Sequence, residues 1–416
     1  MKLTYRHTLA ACYIGYITQA EVNNLPPLLF LIFCNIFDIS MGKIAVLIAA
    51  NFIMQIVVDL LSYRIVGVLG VRRTMMAAHL CSAAGFAFMG VFPYVLPDPF
   101  AGLLLSAALN SVGGGLTEVL VSPIVDSLPG DAKSSAMSLL HSFYCWGQVL
   151  VVLLTTAFFS AFGTENWRLL TALWAIIPFA NTFLFAGVPL CPFVEDGGEE
   201  IPVKKLFGSR LFILFCVLMI CAGASELAAS QWASLFAEAG LKVSKTAGDL
   251  LGPCMFAVLM GTARLLYGIF GKKIKLVPMI SASSVLCVIS YLIMVFAPVP
   301  LLSLAGCAVC GLSVGIMWPG VFSLASEKYP NGGTAMFSVL ALAGDLGCTA
   351  GPGLVGIFVK LAENGSTLLF AGSGAASDGL KTGLLFAAVF PVLMLVGMKL
   401  LSGSGGTGAG GKANPQ

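Results

Sequence analysis

Apolar stretches long enough to cross a membrane recur along this chain from its first residues to about residue 401. A helix of about 20 apolar residues spans the hydrocarbon core of a bilayer. With 58% hydrophobic and only 10% charged residues, the chain has too little charge to cover a soluble protein of 416 residues. The sequence therefore predicts an all-α polytopic membrane protein with twelve transmembrane helices, at 8–36, 43–65, 74–93, 100–122, 134–161, 167–189, 209–237, 246–270, 276–297, 300–324, 333–360 and 380–401.

The basic residues between these segments predict the orientation of the chain. Fifteen lysines and arginines fall on the side that carries both termini, six fall on the other side, and Arg264 lies at the end of a span. Because basic loops stay on the cytoplasmic side, we expect both termini and the central loop to be cytoplasmic. The expected location is the plasma (inner) membrane.

The two halves of the sequence repeat three short patterns. After the second span comes G-x-x-G-x-R-R at 67–73, and after the eighth comes G-x-x-G-K-K at 268–273. The fourth and tenth spans share a Gly-Leu-Thr/Ser run with a proline eight residues after its glycine, at 115–123 and 311–319, and Ala-Met at 136–137 recurs at 335–336. This repetition predicts two pseudo-symmetric six-helix bundles. The expected parts are residues 1–190, a cytoplasmic linker at 191–208, residues 209–401 and a disordered cytoplasmic tail at 402–416.

Two parallel six-helix halves with a basic loop after the second helix resemble the major facilitator superfamily. The resemblance covers essentially the whole chain and implies transport by alternating access. The loop motif of that family is present in a loosened form, carried by Asp59, Arg64, Gly67, Gly70, Arg72 and Arg73. It implies that Asp59 and the basic side chains act as a gate that clamps the halves together on the cytoplasmic side.

A narrower resemblance points to the fucose permease branch of sugar:proton symporters. Its fourth helix carries a carboxylate five residues before a proline, as Glu118 and Pro123 do here. The Asn23-Asn24-Leu25 run also matches, but the acidic residue expected shortly after it falls at Pro27. Glu21 is the nearest alternative acid. The resemblance therefore implies a sugar substrate without implying fucose.

Glu118 is the first candidate for proton coupling and substrate binding. A carboxyl inside the membrane costs about 2.5–3.5 kcal/mol on insertion scales, so it needs a function or a buried polar partner. Glu226 in the seventh span and Asp345 in the eleventh are the other proton-coupling candidates, and Glu226 can also bind substrate. Arg264 is a candidate gating residue and a charge partner for Asp345. A purely structural pairing of these acids stays open.

Further substrate-binding candidates come from polar and aromatic residues inside the spans. In the fifth span, His141 shares a face with Gln148, where both can bond to sugar hydroxyls or to a neighbouring helix. Trp232 can line the site or belong to an interfacial aromatic belt. Breaks in helices line the cavities of transporters, which adds Asn23 and Asn24 before two prolines and Trp318 before Pro319.

These residues favour a secondary transporter, most simply a proton-coupled symporter of a sugar or similar polyhydroxylated solute. A drug or metabolite proton antiporter and a non-transporting solute sensor stay open as alternatives. We expect a small-molecule substrate, protons or sodium as the coupling ion, the lipid bilayer as partner, and a monomer. The sequence has no Walker motif, metal constellation or nucleophile elbow, so no enzyme activity, cofactor or metal is expected. Nor does it contain a basic, aromatic-rich run that binds nucleic acid.

Overall fold

The computed structural model describes residues 3–128, 133–191, 203–270, 275–329, 333–366, 369–370 and 374–404. Regular structure within these ranges is helical throughout, with no strand. Most of the predicted linker and tail lie outside the described residues. The last helix continues to Ser404, slightly beyond the predicted start of the tail.

Six membrane-spanning helices form the N-terminal half and six form the C-terminal half. The first six are α1 (Tyr5–Phe37), α2 (41–69) and α3 (71–89) as two arms of one helix Met41–Met89, α4 (Pro99–Ser127), α5 (Lys133–Phe162) and α6 (Thr164–Gly187). The others are α7 (Arg210–Gly240), α8 (245–270), α9 (Leu276–Phe296), α10 (Pro300–Lys328), α11 (Gly333–Glu363) and α12 (375–404). All twelve predicted spans are helical, although some of their ends shift, and eleven helices in the described part of the chain are long and apolar enough to cross a membrane.

The junction between α2 and α3 differs from the expected loop. Helical backbone continues from Met41 to Met89 and is interrupted only at Gly70, which has a φ of 75°. Glycine adopts this left-handed conformation without the steric cost that a Cβ imposes. The chain therefore changes direction at a single residue, and Arg72 and Arg73 begin the next helix.

Glycines let neighbouring helices approach closely in both halves. A Cβ placed on Gly113 of α4 would lie 2.4 Å from the carbonyl oxygen of Ala78 in α3. On Gly311 of α10, a Cβ would lie 2.1 Å from the carbonyl oxygen of Phe256 in α8. Small residues provide this kind of packing inside membranes, where lipid competes with every apolar contact.

The halves meet mainly along α2 with α11 and α5 with α8. We call the face that carries the chain termini the terminal face and the opposite one the distal face. Among the described residues, the hydrogen bonds that join the halves lie at mid-membrane or toward the distal face. On the terminal face, Val68 beside the bend at Gly70 is 83% exposed. The described hydrogen bonds therefore join the halves at mid-membrane and on the distal side of the molecule.

Candidate functional site

Three carboxyl groups from both halves converge in the middle of the molecule. Asp59 of α2 faces Asp345 of α11, and both carboxyls lie close enough to Glu118 of α4 to interact electrostatically. Asp345 is 8% exposed and comes from the other half. The structure thus brings together Glu118 and Asp345, which the sequence singled out separately, and adds Asp59, which was expected at the cytoplasmic loop.

Glu118 is held by a chain of amide groups in the N-terminal half. Gln19 Nε2 donates to Glu118 Oε2 at 2.6 Å and to Gln55 Oε1 at 3.1 Å. Gln55 and Asn51 then both donate to Asn23 Oδ1, at 2.9 and 3.2 Å. Each of these amides carries donors and an acceptor. The amide groups can therefore exchange a hydrogen bond among themselves for one to a polar solute.

The Asn23 carbonyl connects this chain to the C-terminal half. In a regular helix that carbonyl would accept a bond from the residue four positions later, but residue 27 is a proline and has no N–H. Gln231 Nε2 of α7 donates to the free carbonyl at 2.9 Å, and Gln231 is 3% exposed. The break predicted at Pro26 and Pro27 therefore becomes a contact between the halves. The Asn24 side chain donates to Ala20 O within its own helix.

Arg264 pairs with Glu226 rather than with Asp345, so the expected partner was wrong. Arg264 Nη2 of α8 lies 3.2 Å from Glu226 Oε2 of α7, and both side chains are largely buried. The guanidinium also faces the Cys145 thiol of α5, which places it against the other half. Glu226 neutralises its charge there, because a buried cation needs a nearby carboxylate.

Aromatic and hydroxyl groups surround this ion pair on the side of the N-terminal half. Tyr16 Oη of α1 lies 3.1 Å from Ser122 Oγ and 3.4 Å from Nδ1 of His141. His141 is exposed, whereas Gln148 on the same face of α5 is 2% exposed. Of the two residues predicted on that face, the structure therefore brings only His141 to open space.

The two tryptophans predicted to bind substrate lie in different surroundings. Trp232 is fully buried and donates from Nε1 to the carbonyl oxygen of Pro352 at 3.1 Å. It anchors α7 to α11 and is not open to solute in this conformation. Trp318 packs its ring against Gly344, the residue next to Asp345, where a Cβ would lie 2.1 Å from the ring.

The basic residues expected to clamp the halves lie at the terminal face. Arg72 donates to the carbonyl oxygens of Phe185 and Ala186, at the end of α6 in its own half. Arg64 and Arg73 are exposed. Among the described residues, none of these three arginines forms an ion pair with the other half, so the clamp stays a prediction. Glu21, the alternative acid, is fully buried, and neither of its carboxyl oxygens has a hydrogen-bond partner among the described residues.

Sequence reasoning singled out Asn23 but missed the other three amides at the centre of the site, Gln19, Asn51 and Gln55. Gln19 and Asn23 lie four residues apart on α1, and Asn51 and Gln55 lie four residues apart on α2. Paired amides at this spacing on apolar helices share one face, and that signal could have found them. No group of three or more histidine, cysteine or acidic side chains in the described part of the chain could hold a metal ion.

A bundle of twelve apolar helices with a polar centre shared by two halves defines a membrane protein of the solute-carrier type. The family model of the Major Facilitator Superfamily matches residues 11–352, and the chain belongs to that superfamily of transporters. The resemblance stated from the sequence is thereby confirmed at the level of the family.

The individual proteins that the chain resembles share only a small fraction of its sequence. The chain is 25% identical to the membrane protein MosC of Rhizobium meliloti over 287 residues, covering 67% of this chain and 68% of that protein. It is similar in fold to an inward-facing bacterial homologue of the lysosomal transporter Spinster, with 16% identity, a TM-score of 0.73 and 97% of each chain covered. For the D-xylose–proton symporter the identity is 15% and the TM-score 0.70, over 94% of this chain and 97% of that one. For the transporter FucP in the outward conformation, the identity is 13% and the TM-score 0.61, over 94% of this chain and 98% of that one.

Proposed function

We propose that this protein is a secondary active transporter that takes up a sugar or similar polyhydroxylated solute together with protons. The observation that carries the proposal is the convergence of Asp59 and Glu118 from one half with Asp345 from the other. A carboxyl group can load and release a proton, and these three lie where the halves separate during alternating access.

The physical basis of the coupling is repulsion between like charges in a medium of low dielectric constant. Two carboxylates a few ångströms apart inside the membrane repel strongly, and binding one proton removes that repulsion. When α2 and α11 move apart, Asp59 leaves Asp345 and the cost of ionising either group changes. Movement of the halves and proton binding therefore depend on each other. Glu226 is charge-paired with Arg264, which makes it a weaker candidate for coupling than Glu118 or Asp345.

The polar groups around the acids support a polyhydroxylated solute. Asn23, Gln55, Tyr16 and His141 can each donate and accept hydrogen bonds, which matches the alternating character of sugar hydroxyls. Trp318 adds an aromatic surface beside Asp345. The name of one protein of similar fold, a D-xylose–proton symporter, agrees with a sugar as the solute class.

The remaining expectations fit the same proposal. Residues 1–190 and 209–401 would move as two bodies joined by the linker at 191–208. Both termini would lie in the cytoplasm, as the basic loops indicate, and the terminal face would be the cytoplasmic one. The transporter would act as a monomer, because both halves of the site come from one chain.

Uptake into proteoliposomes tests the proposal. A panel of labelled monosaccharides is offered with and without an inward proton gradient to the wild type, Glu118→Gln and Asp345→Asn. Glu165→Gln is the matched control, because Glu165 is an exposed acid in the first turn of α6. We expect the two site variants to lose gradient-driven accumulation while keeping exchange of solute between the two sides, and the control to behave as the wild type.

Each possible result has a different meaning. If Glu118→Gln accumulates sugar as well as the wild type does, coupling through Glu118 is wrong. If no sugar enters under either condition, the solute class is wrong and export or another solute class becomes the better proposal. Accumulation driven by a sodium gradient instead of a proton gradient would identify sodium as the coupling ion. The proposed transport mode and solute class would stand.

A further inference from the structure

We infer that Lys245 and Glu363 form a latch that holds the distal face closed and must open in every transport cycle. The distal latch consists of Lys245 with Leu28 and of Glu363 with Met41 and Gly42, and each contact joins the two halves. The inference rests on the alternating access of the proposed function but not on the identity of the solute or the coupling ion.

Lys245 is a cation whose position is fixed by its own half. At the start of α8, its Nζ lies 3.1 Å from Glu238 Oε1 and 3.0 Å from Asp249 Oδ2. Asp249 is fully buried and accepts a further bond from the Ser234 hydroxyl at 2.5 Å. The two carboxylates neutralise and orient the ammonium group, which leaves one of its three donors for another partner.

That remaining donor reaches the N-terminal half. Lys245 Nζ lies 2.7 Å from the carbonyl oxygen of Leu28 in α1, just beyond Pro26 and Pro27. The ammonium also lies 5.7 Å from the centre of the Phe159 ring in α5. A charged donor on a backbone carbonyl makes a stronger bond than a neutral one. When α8 moves away from α1, this bond is lost while both bonds to the carboxylates persist.

Glu363 forms the second part of the latch by capping a helix of the opposite half. Its carboxylate accepts from the backbone N–H groups of Met41 and Gly42, at 2.6 and 3.0 Å. These N–H groups have no partner inside their own helix, and the helix dipole favours a negative charge there. Gly42 permits the approach, because a Cβ on it would lie 3.1 Å from the Glu363 carboxylate and 3.3 Å from Lys360 Cγ.

Close packing next to the latch indicates that the contacts form a seal. One turn further along α2, Ala45 packs against Gly356 of α11, where a Cβ on Gly356 would lie 2.3 Å from that of Ala45. At the other side of the face, Ser160 Oγ of α5 lies 3.3 Å from Thr246 Oγ1 of α8. The latch thus lies beside both interfaces between the halves, α2 with α11 and α5 with α8.

Distance measurement between the halves tests the latch without any substrate. Spin labels are placed on Val95→Cys and Leu301→Cys, which lie on the distal face in opposite halves and are 72% and 66% exposed. The four partly exposed native cysteines are replaced by serine: Cys34, Cys81, Cys191 and Cys216. Pulsed electron–electron double resonance then gives the ratio of distally open to distally closed molecules in detergent and in nanodiscs.

We expect Lys245→Met and Glu363→Ala each to raise the open-to-closed ratio by about tenfold, since each removes a charged hydrogen bond made only in the closed state. Lys245→Arg, which keeps the charge and donors, should stay near the wild type. The matched controls are Lys242→Met, an exposed lysine in the same turn, and Glu165→Gln, an exposed acid on the same face. Neither control should change the ratio.

Unchanged distance distributions in both Lys245→Met and Glu363→Ala would overturn the latch, as would an equal shift in the two controls. Should Lys245→Met fail to fold, Glu363→Ala decides alone, since Glu363 is exposed at the rim and its substitution leaves no buried charge unpaired. A distance shift without any sugar uptake would retain the latch and remove only the proposed solute. Sugar uptake with no distance shift would retain the proposed solute and overturn the latch.

Discussion

Removing either member of the Arg264–Glu226 pair should destabilise the protein more than removing both. The pair is 3.2 Å apart, and its side chains are only 19% and 9% exposed. At an effective dielectric constant of about 20, the attraction at this distance is about 5 kcal/mol. A single substitution forfeits that attraction and leaves a charge inside the membrane, so Glu226→Leu or Arg264→Met should each cost about 3–5 kcal/mol.

The double variant removes both charges and replaces them with apolar side chains of similar size. Replacement of a whole buried pair is often close to neutral, so the double variant should be more stable than either single variant. Thermal unfolding in detergent micelles measures this, with a thiol-reactive dye reporting the eight buried cysteines as they become exposed. Glu165→Gln serves as the control for loss of an exposed acid.

The reasoning would be refuted by additive costs. Suppose that the double variant loses as much free energy of unfolding as the two single variants lose together, to within about 0.5 kcal/mol. The two side chains then do not interact in the folded protein. Single losses below about 1 kcal/mol would mean that water screens the pair, as it does at a protein surface.

Two further predictions concern the packing of α11. Gly344→Ala should destabilise the protein by about 1–3 kcal/mol in the same unfolding assay, because its Cβ would lie 2.1 Å from the Trp318 ring. Gly353→Ala on the same helix should be neutral or stabilising, because nothing lies within 4 Å of its Cβ; equal losses in both would contradict the packing argument. Trp232→Phe removes the bond to Pro352 and should cost about 1–3 kcal/mol while leaving the apparent KM for solute unchanged. A raised KM with unchanged stability would instead indicate that Trp232 binds the substrate.

Sequence patterns predicted the spans well, because each span is a local property of about 20 consecutive residues. They failed at the junction of α2 and α3, where an expected loop is a single left-handed glycine. The signal was present, since Gly70 lies among residues that are otherwise compatible with a helix. A break in hydropathy does not distinguish a loop from a kink.

The acids of the site could be found from the sequence, but their partners could not. A carboxylate inside an apolar span is conspicuous wherever it lies, which singled out Glu118, Glu226 and Asp345. Which of these acids pairs with Arg264 depends on how α4, α7, α8 and α11 pack against one another. Distances along the sequence do not indicate that packing. The same limit explains Lys245 and Glu363, which look like ordinary loop charges until the distal face is assembled.

The bond from Gln231 to the Asn23 carbonyl has a consequence for the state in which the halves part. Most backbone carbonyls keep their intrahelical partner when helices move as rigid bodies, but Pro27 deprives this one of such a partner. Once Gln231 withdraws, only water or the solute itself can satisfy that oxygen. Opening should therefore hydrate α1 at a fixed depth, and a solute hydroxyl that arrives there would displace a bound water rather than break an existing protein bond.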